Sequence, residues 1–99
     1  MVKLLMGWNI IPGREGDYFD YVVEVFQPGL EELGLKTTDV WYTAYGDLPQ
    51  IVTGAVSSDL ASLQEVLRST RWHDLKEELL QFVTGYRQKV IPANGEYQL

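Results

Sequence analysis

Ninety-nine residues, 45% of them hydrophobic, make one globular domain that spans 1–99. The net charge of −6 argues against nucleic acid and against an anionic membrane surface as partners. The chain has no cysteine for disulfides or thiolate chemistry, which is typical of a cytoplasmic protein, and its single histidine makes a metal site unexpected.

The first predicted element is a strand over residues 2–11, ended by Pro12 and Gly13. The stretch is too short to cross a membrane, and we recognise no signal peptide in it. One face of the strand carries Val2, Leu4, Met6, Trp8 and Ile10. The other face carries Leu5, Gly7, Asn9 and Ile11. Both faces are mostly apolar, so we expect both to be buried.

A helix is predicted next, with Asp17 as its N-terminal cap and Gly34 as its C-terminal stop. Pro28 lacks a backbone donor, so the helix should kink or restart there. Its buried stripe is predicted at helical spacing: Phe19, Val22, Phe26, Leu30 and Leu33.

Residues 37–45 and 50–57 are predicted to form a β-hairpin around the turn at 46–49. In the first of these strands, Val40 and Tyr42 face one way, and Trp41 and Tyr45 face the other. The alternation places the two groups on opposite faces of one sheet.

Residues 58–91 are predicted to form a helix, a break, a second helix and a strand at 86–91. Ser58 or Asp59 caps the first helix. Its stripe is Leu60, Leu63, Val66 and Leu67, and the next stripe is Trp72, Leu75, Leu79, Phe82 and Val83. Because the two stripes lie roughly 140° apart on an unbroken helix, we predict a kink at Ser69 and Thr70.

The element order is βαββαβ, which indicates an α+β, ferredoxin-like fold with a four-stranded antiparallel sheet. Kinked helices cover only one face of that sheet. The apolar character of the first strand on both sides suggests that a second copy covers the other face, since most soluble oligomers are two-fold homodimers. We therefore predict a homodimer.

Four segments carry a resemblance to the dimeric α/β-barrel superfamily: GWNIIPG (7–13), DYFDYVVEVFQPGLEELGL (17–35), WYTAYGDLPQ (41–50) and LRSTRWHDLKEELLQFVTGYRQKV (67–90). They cover nearly the whole chain. The superfamily includes antibiotic-biosynthesis-type monooxygenases, haem-degrading monooxygenases, EthD-like proteins and NIPSNAP-like proteins, and this chain looks most like its bacterial members. The resemblance implies the fold, with two chains pairing into a barrel. It does not choose one chemistry.

The haem-degrading relatives use an Asn on the first strand and a Trp and a His on the second helix. Asn9 and Trp72 match in type and element. His73 departs from the pattern because it is adjacent to Trp72, about 100° around the helix. We therefore expect no haem and no other cofactor.

The cofactor-independent monooxygenases of the superfamily use Asn, Trp and Tyr side chains in a pocket between sheet and helices. The resemblance implies that Asn9, Trp72, Tyr42 and Tyr45 supply such a set, and Phe26 is expected to be a further wall. The plainer interpretation is that Trp72 is a core residue and that Asn9 bonds to nearby backbone.

Two further groups are candidates. His73 is a candidate general base, with Glu77 one helical turn away, although a surface histidine is the commoner outcome. Arg87 and Lys89 share one strand face and are candidates to bind a carboxylate, or they are surface cations of an edge strand.

Three functions remain open. The first is a small-molecule enzyme, either a monooxygenase or an isomerase, that acts on a small aromatic or apolar molecule in a pocket between sheet and helices, with Asn9 as the polar group inside. The second is a non-catalytic ligand-binding module. The third is a structural dimer.

Overall fold

The computed structural model describes residues 1–43 and 49–92. Its elements are β1 (Val2–Ile10), α1 (Glu15–Tyr21), a π-helical turn (Val22–Phe26), α2 (Gln27–Glu32), β2 (Lys36–Tyr42), β3 (Ile51–Ser57), α3 (Leu60–Arg68), α4 (Thr70–Leu79) and β4 (Val83–Pro92). The predicted ferredoxin-like α+β fold is confirmed. None of the described helices is long and apolar enough to cross a bilayer.

The four strands form one antiparallel sheet in the order β2-β3-β1-β4. The helices cover the face that carries Leu4, Met6, Trp8 and Ile10 of β1, all of which are buried. The opposite face carries Leu5, Gly7 and Asn9 of β1, which pair with outward positions of β3 and β4. We call this second side the open face.

The break between α3 and α4 falls at Ser69, as predicted, because this residue has extended backbone and caps α4. Its Oγ accepts a hydrogen bond from the Trp72 amide at 3.2 Å. Asp59 caps α3 in the same way, through its Oδ1 and the Ser62 amide at 2.7 Å. The two caps let each helix turn its own apolar stripe toward the sheet.

The first helical region differs from its prediction. It begins at Glu15 without a side-chain cap, so Asp17 is not the cap. Tyr18 and Tyr21 are buried, whereas Phe19 is 43% exposed. The cause is the π-helical turn, in which the Gln27 amide donates to the Val22 carbonyl, five residues back. That extra residue rotates the part of the helix before the turn relative to the part after it.

Pro28 gives a physical reason for the wide turn. Proline lacks the amide that an α-helix would use, and its ring clashes with the carbonyl four residues earlier. The turn lies directly before Pro28, which is the second residue of α2. The region then ends as predicted at Gly34, whose positive φ of 86° suits glycine.

The last strand also starts earlier than predicted, at Val83 and not at Tyr86. Phe82 and Val83 therefore do not continue the stripe of α4. Gly85 has a φ of 65°, and one extra residue of β4 is accommodated between the pairs Gly7–Arg87 and Asn9–Thr84. This bulge allows Tyr86 to stack on Trp8.

Candidate functional site

A cavity of about 150 Å³ lies between the first helical region and the sheet. The helical side of its wall is Tyr18, Phe19, Val22, Val23, Phe26, Gln27 and Leu30. The sheet side is Met6, Trp8, Thr37, Val40, Tyr42, Ile51 and Thr53. None of these residues carries a charge at neutral pH, so the cavity suits a neutral and largely apolar ligand.

Two backbone irregularities shape the cavity. The π-helical turn supplies Val22, Val23 and Phe26 to one wall. A β-bulge at Thr38 in β2 supplies the other, because Thr37 pairs with Ala55 and Asp39 already pairs with Gly54. Irregularities of both kinds are frequent beside functional sites, where they aim side chains.

The mouth of the cavity is marked by four lining side chains that reach solvent, one of which is Val40 at 41% exposed. Phe19 is 43% exposed, Val23 62% and Tyr42 67%. Trp8 and Phe26, each 2% exposed, form the inner end, with their rings edge-to-face at 6.2 Å. A ligand would therefore enter between β2 and the start of the π-helical turn.

Thr37 places an unusual polar atom in this wall. Its Oγ1 is buried and has no hydrogen-bond partner within the described residues. A buried hydroxyl without a partner costs about 1–3 kcal/mol. The neighbouring Thr53 hydroxyl is satisfied, since it donates to the Asp39 carbonyl at 2.8 Å. Thr37 therefore offers hydrogen-bonding capacity to whatever fills the cavity.

Tyr18 is the second polar group of the wall. Its Oη accepts a hydrogen bond from Trp8 Nε1 at 2.9 Å, which leaves the phenolic proton for another acceptor. Burial raises the pKa of Tyr18 to about 12. The phenol is therefore a neutral donor at physiological pH and not a base.

Asn9 does not lie where it was predicted. It is exposed, projects from the open face and is not among the cavity residues. Its Oδ1 accepts from the Gln50 amide at 2.8 Å, and Gln50 Oε1 accepts from the Ile10 amide at 2.9 Å. The predicted alternation along β1 is correct, but the prediction places the pocket on the wrong side of the strand.

Trp72 and His73 are also outside the cavity. Trp72 is 2% exposed in the core, with its ring 6.4 Å from that of Phe26. His73 is exposed on α4. The structure therefore does not bring His73, Asn9 and Trp72 together at one site.

The remaining candidates separate into three groups. Phe26 and Tyr42 line the cavity. Tyr45 lies outside the described residues. Arg87 is exposed on the open face, opposite Gly7. Within 1–43 and 49–92 no three His, Cys, Asp or Glu side chains gather into a cation site.

Sequence reasoning missed Tyr18, Thr37 and Thr53. The π-helical turn displaces Tyr18 from the predicted stripe, and Pro28 was the available signal for that turn. The two threonines look like ordinary strand residues in the sequence, and only the bulge at Thr38 explains why Thr37 faces the cavity.

Solved structures share this fold. A NIPSNAP domain protein from Burkholderia xenovorans matches with a TM-score of 0.70 and 10% identity, over 99% of this chain and 99% of that chain. An ethyl tert-butyl ether (EthD) family protein from Bacillus halodurans matches with a TM-score of 0.70 and 13% identity, over 95% of this chain and 100% of that chain. A candidate antibiotic biosynthesis monooxygenase from Deinococcus radiodurans matches with a TM-score of 0.69 and 13% identity, over 100% of this chain and 98% of that chain.

No family model matches the sequence, and no curated protein matches it. The structural neighbours confirm the ferredoxin-like α+β fold of the chain. At these identities the likeness establishes the fold alone.

Proposed function

We propose that this protein binds a small, mostly apolar molecule with one hydrogen-bonding group in the cavity between the first helical region and the sheet. The observation that carries the proposal is the buried Thr37 hydroxyl, which has no partner within the described residues and lies in an otherwise largely apolar wall. A ligand that meets this hydroxyl removes the cost of its burial.

The size of the cavity restricts the ligand. An engineered apolar cavity of about the same volume in another protein holds benzene. A single aromatic ring with one polar substituent therefore fits the space, and the rings of Trp8 and Phe26 offer edge and face contacts to it. Phenol and toluene make a matched pair of probes, because they differ only in a hydroxyl against a methyl group.

The test is calorimetric titration of both probes into the wild-type protein and into Thr37→Val, which keeps the shape and removes the hydroxyl. The wild type should prefer phenol, and the preference should shrink by about 1 kcal/mol or more in the variant. Thr84→Val, at an exposed position of β4, is the control. The proposal is contradicted if phenol and toluene bind with equal affinity to the wild type and also with equal affinity to Thr37→Val.

A catalytic use of the same cavity, as a cofactor-independent monooxygenase or isomerase, is the second candidate. Tyr18 favours it, because a buried neutral phenol can donate to an oxyanion that forms on a substrate. Asn9 and His73 take no part in this proposal, because both lie outside the cavity. Conversion of 1,4-dihydroxybenzene and O2 to 2-hydroxy-1,4-benzoquinone and water above the spontaneous rate, lost in Tyr18→Phe, would support an oxygenase. If the protein does not raise the rate above the spontaneous one, the catalytic candidate is excluded and the binding function remains.

Self-association is part of the proposal. The open face presents Leu5, Val52 and Trp41, with the Lys3–Asp39 ion pair beside them. An apolar centre with a charged rim is the composition of a protein interface, and a second copy presents the same surface under two-fold symmetry. Sedimentation equilibrium at micromolar concentration should give a dimer. A monomer throughout the micromolar range would contradict the proposed self-association.

The cytoplasmic location remains a prediction from composition.

A further inference from the structure

The open face contains a hollow of about 240 Å³, on the side of the sheet away from the cavity. Its floor is apolar and consists of Leu5, Gly7 and Val52, and Pro49 forms one wall. Gly7 makes this shape possible, because a Cβ at that position would lie 3.1 Å from Pro49 Cγ. The absence of a side chain at Gly7 lets the proline ring lie against the strand.

Two cations stand beside the apolar floor. In the register of β1 with β4, Arg87 lies opposite Gly7 and Lys89 lies opposite Leu5. They are alternate residues of one strand, so both side chains project from the open face. Both line the hollow, and both are exposed.

The charge of these side chains is uncompensated in the described part of the chain. The ion pairs found there use Lys3, Arg14 and Arg71, and neither Arg87 nor Lys89 takes part in one. The protein as a whole carries a net charge of −6. Two neighbouring cations above an apolar floor are therefore a local exception that suits an anion with an apolar body.

We propose that this hollow binds a small organic carboxylate with a short apolar tail. The guanidinium of Arg87 can hold a carboxylate through two parallel hydrogen bonds. Lys89 adds a second positive charge on the same strand face, and the tail lies on Leu5 and Val52. The site is separated from the cavity by the sheet itself, and its occupation does not depend on the proposed function.

The hollow is compatible with the second copy proposed for the open face. A bare two-fold contact would remove Arg87 and Lys89 from water without a partner, which is unfavourable. A bound carboxylate neutralises them. The site does not require the dimer, because all the residues that form it come from one chain.

The test uses hexanoate, with hexylammonium to reverse the charge and acetate to remove the tail. Calorimetry on the wild-type protein should show saturable binding of hexanoate, weaker binding of acetate and none of hexylammonium. Arg87→Ala should weaken hexanoate binding roughly tenfold, since a hydrogen bond to a charged group is worth that much. Lys36→Ala, at an exposed cation on the far edge of the same face, is the matched control and should change nothing.

An NMR spectrum locates the bound probe. Trp41 pairs with Val52 in the sheet, so its indole N–H signal should move with hexanoate. Trp8 reports the cavity and should not move. The proposal is overturned if hexanoate does not bind, if the Arg87→Ala, Lys89→Ala double variant binds it as well as wild type, or if the Trp8 signal alone responds. If phenol does not bind to the cavity, the expected binding of hexanoate to the hollow is not affected.

Discussion

Trp8 and Tyr86 of the sheet contact the first helical region and α4. Trp8 donates its indole N–H to Tyr18, and its ring is nearly parallel to that of Tyr86, with 7° between planes and 6.0 Å between centroids. Lys76 Nζ lies 5.0 Å from the centroid of the Tyr86 ring. Each contact of this kind adds modestly to the burial of large rings, and together they hold Trp8, which lines the cavity, in place.

Trp72 and His73 are adjacent, but only Trp72 is buried, so the pair tests how much core burial contributes to the free energy of unfolding. Trp72 is 2% exposed, so Trp72→Ala should lower the free energy of unfolding by about 3–5 kcal/mol. His73 is exposed, and His73→Ala should change it by less than about 0.5 kcal/mol. Urea denaturation of both variants measures the difference. Similar losses would show that Trp72 is not an anchor of α4.

Buried tyrosines predict a loss of stability in alkali. Burial raises the pKa values of Tyr18 and Tyr21 to about 12 from the ordinary value of 10.0. Since folding favours the protonated phenol, this stabilisation is fully present below pH 10 and disappears as the pH rises through 12. The free energy of unfolding should therefore fall across that window. The Tyr18→Phe, Tyr21→Phe double variant should lose less of it, and an equal fall would contradict the assignment.

At the scale of elements, the π-helical turn decides which residues reach the cavity. The buried residues Tyr21 and Phe26 are five positions apart across it, and Phe26 and Leu30 are four apart after it. Deleting the exposed Val23 and replacing Pro28 with alanine would give four-residue spacing between Tyr21 and Phe26, remove the proline clash and give a continuous α-helix. The deletion variant should fold, because its buried stripe is kept, and it should lose phenol binding, because one wall is rebuilt.

Circular dichroism and calorimetry measure these two outcomes separately. The matched control is Gly16→Ala, in α1 before the turn, where a Cβ meets nothing within 4 Å. This substitution leaves the π-helical turn in place, so phenol binding should be unchanged. A folded deletion variant that binds phenol like wild type would show that the turn is not needed for the cavity.

The element order and the helix break were predictable because they depend on local signals. Asp59 and Ser69 are residue types that commonly cap helices, and the opposed stripes of α3 and α4 require a break between them.

The candidate site was less predictable than the fold. The placement of Asn9 depends on which face of β1 the helices cover, and two apolar faces leave that choice to tertiary packing. The orientation of Thr37 toward the cavity depends on the β-bulge at Thr38, and no residue type in the sequence predicts that bulge.

At the scale of the whole molecule, the sheet separates two surfaces of different character. The helical side holds an uncharged cavity, and the open face holds an apolar centre, the Lys3–Asp39 pair and the cations of β4. Large apolar side chains on an exposed sheet face are typical of a contact surface. Trp41, which is 37% exposed there, is the kind of residue that dominates such contacts.

Trp41 and Tyr42 are adjacent and face opposite sides of the sheet, which makes them a matched pair. Trp41→Ser should weaken self-association by more than about 1 kcal/mol. Tyr42→Ser should leave it unchanged, although Tyr42 is the more exposed residue at 67%. Sedimentation equilibrium of both variants measures the effect. Equal association constants for Trp41→Ser and wild type would exclude the open face as the interface.

The central claim is that the cavity binds a small molecule, and the indole N–H signals of the three tryptophans test it most directly. Trp8 lines the cavity and Trp41 lies on the open face, so one titration with phenol compares the two sides of the sheet. The Trp8 signal should move saturably while the Trp41 signal stays in place. A Trp8 signal that does not respond, or a Trp41 signal that moves instead, would contradict it.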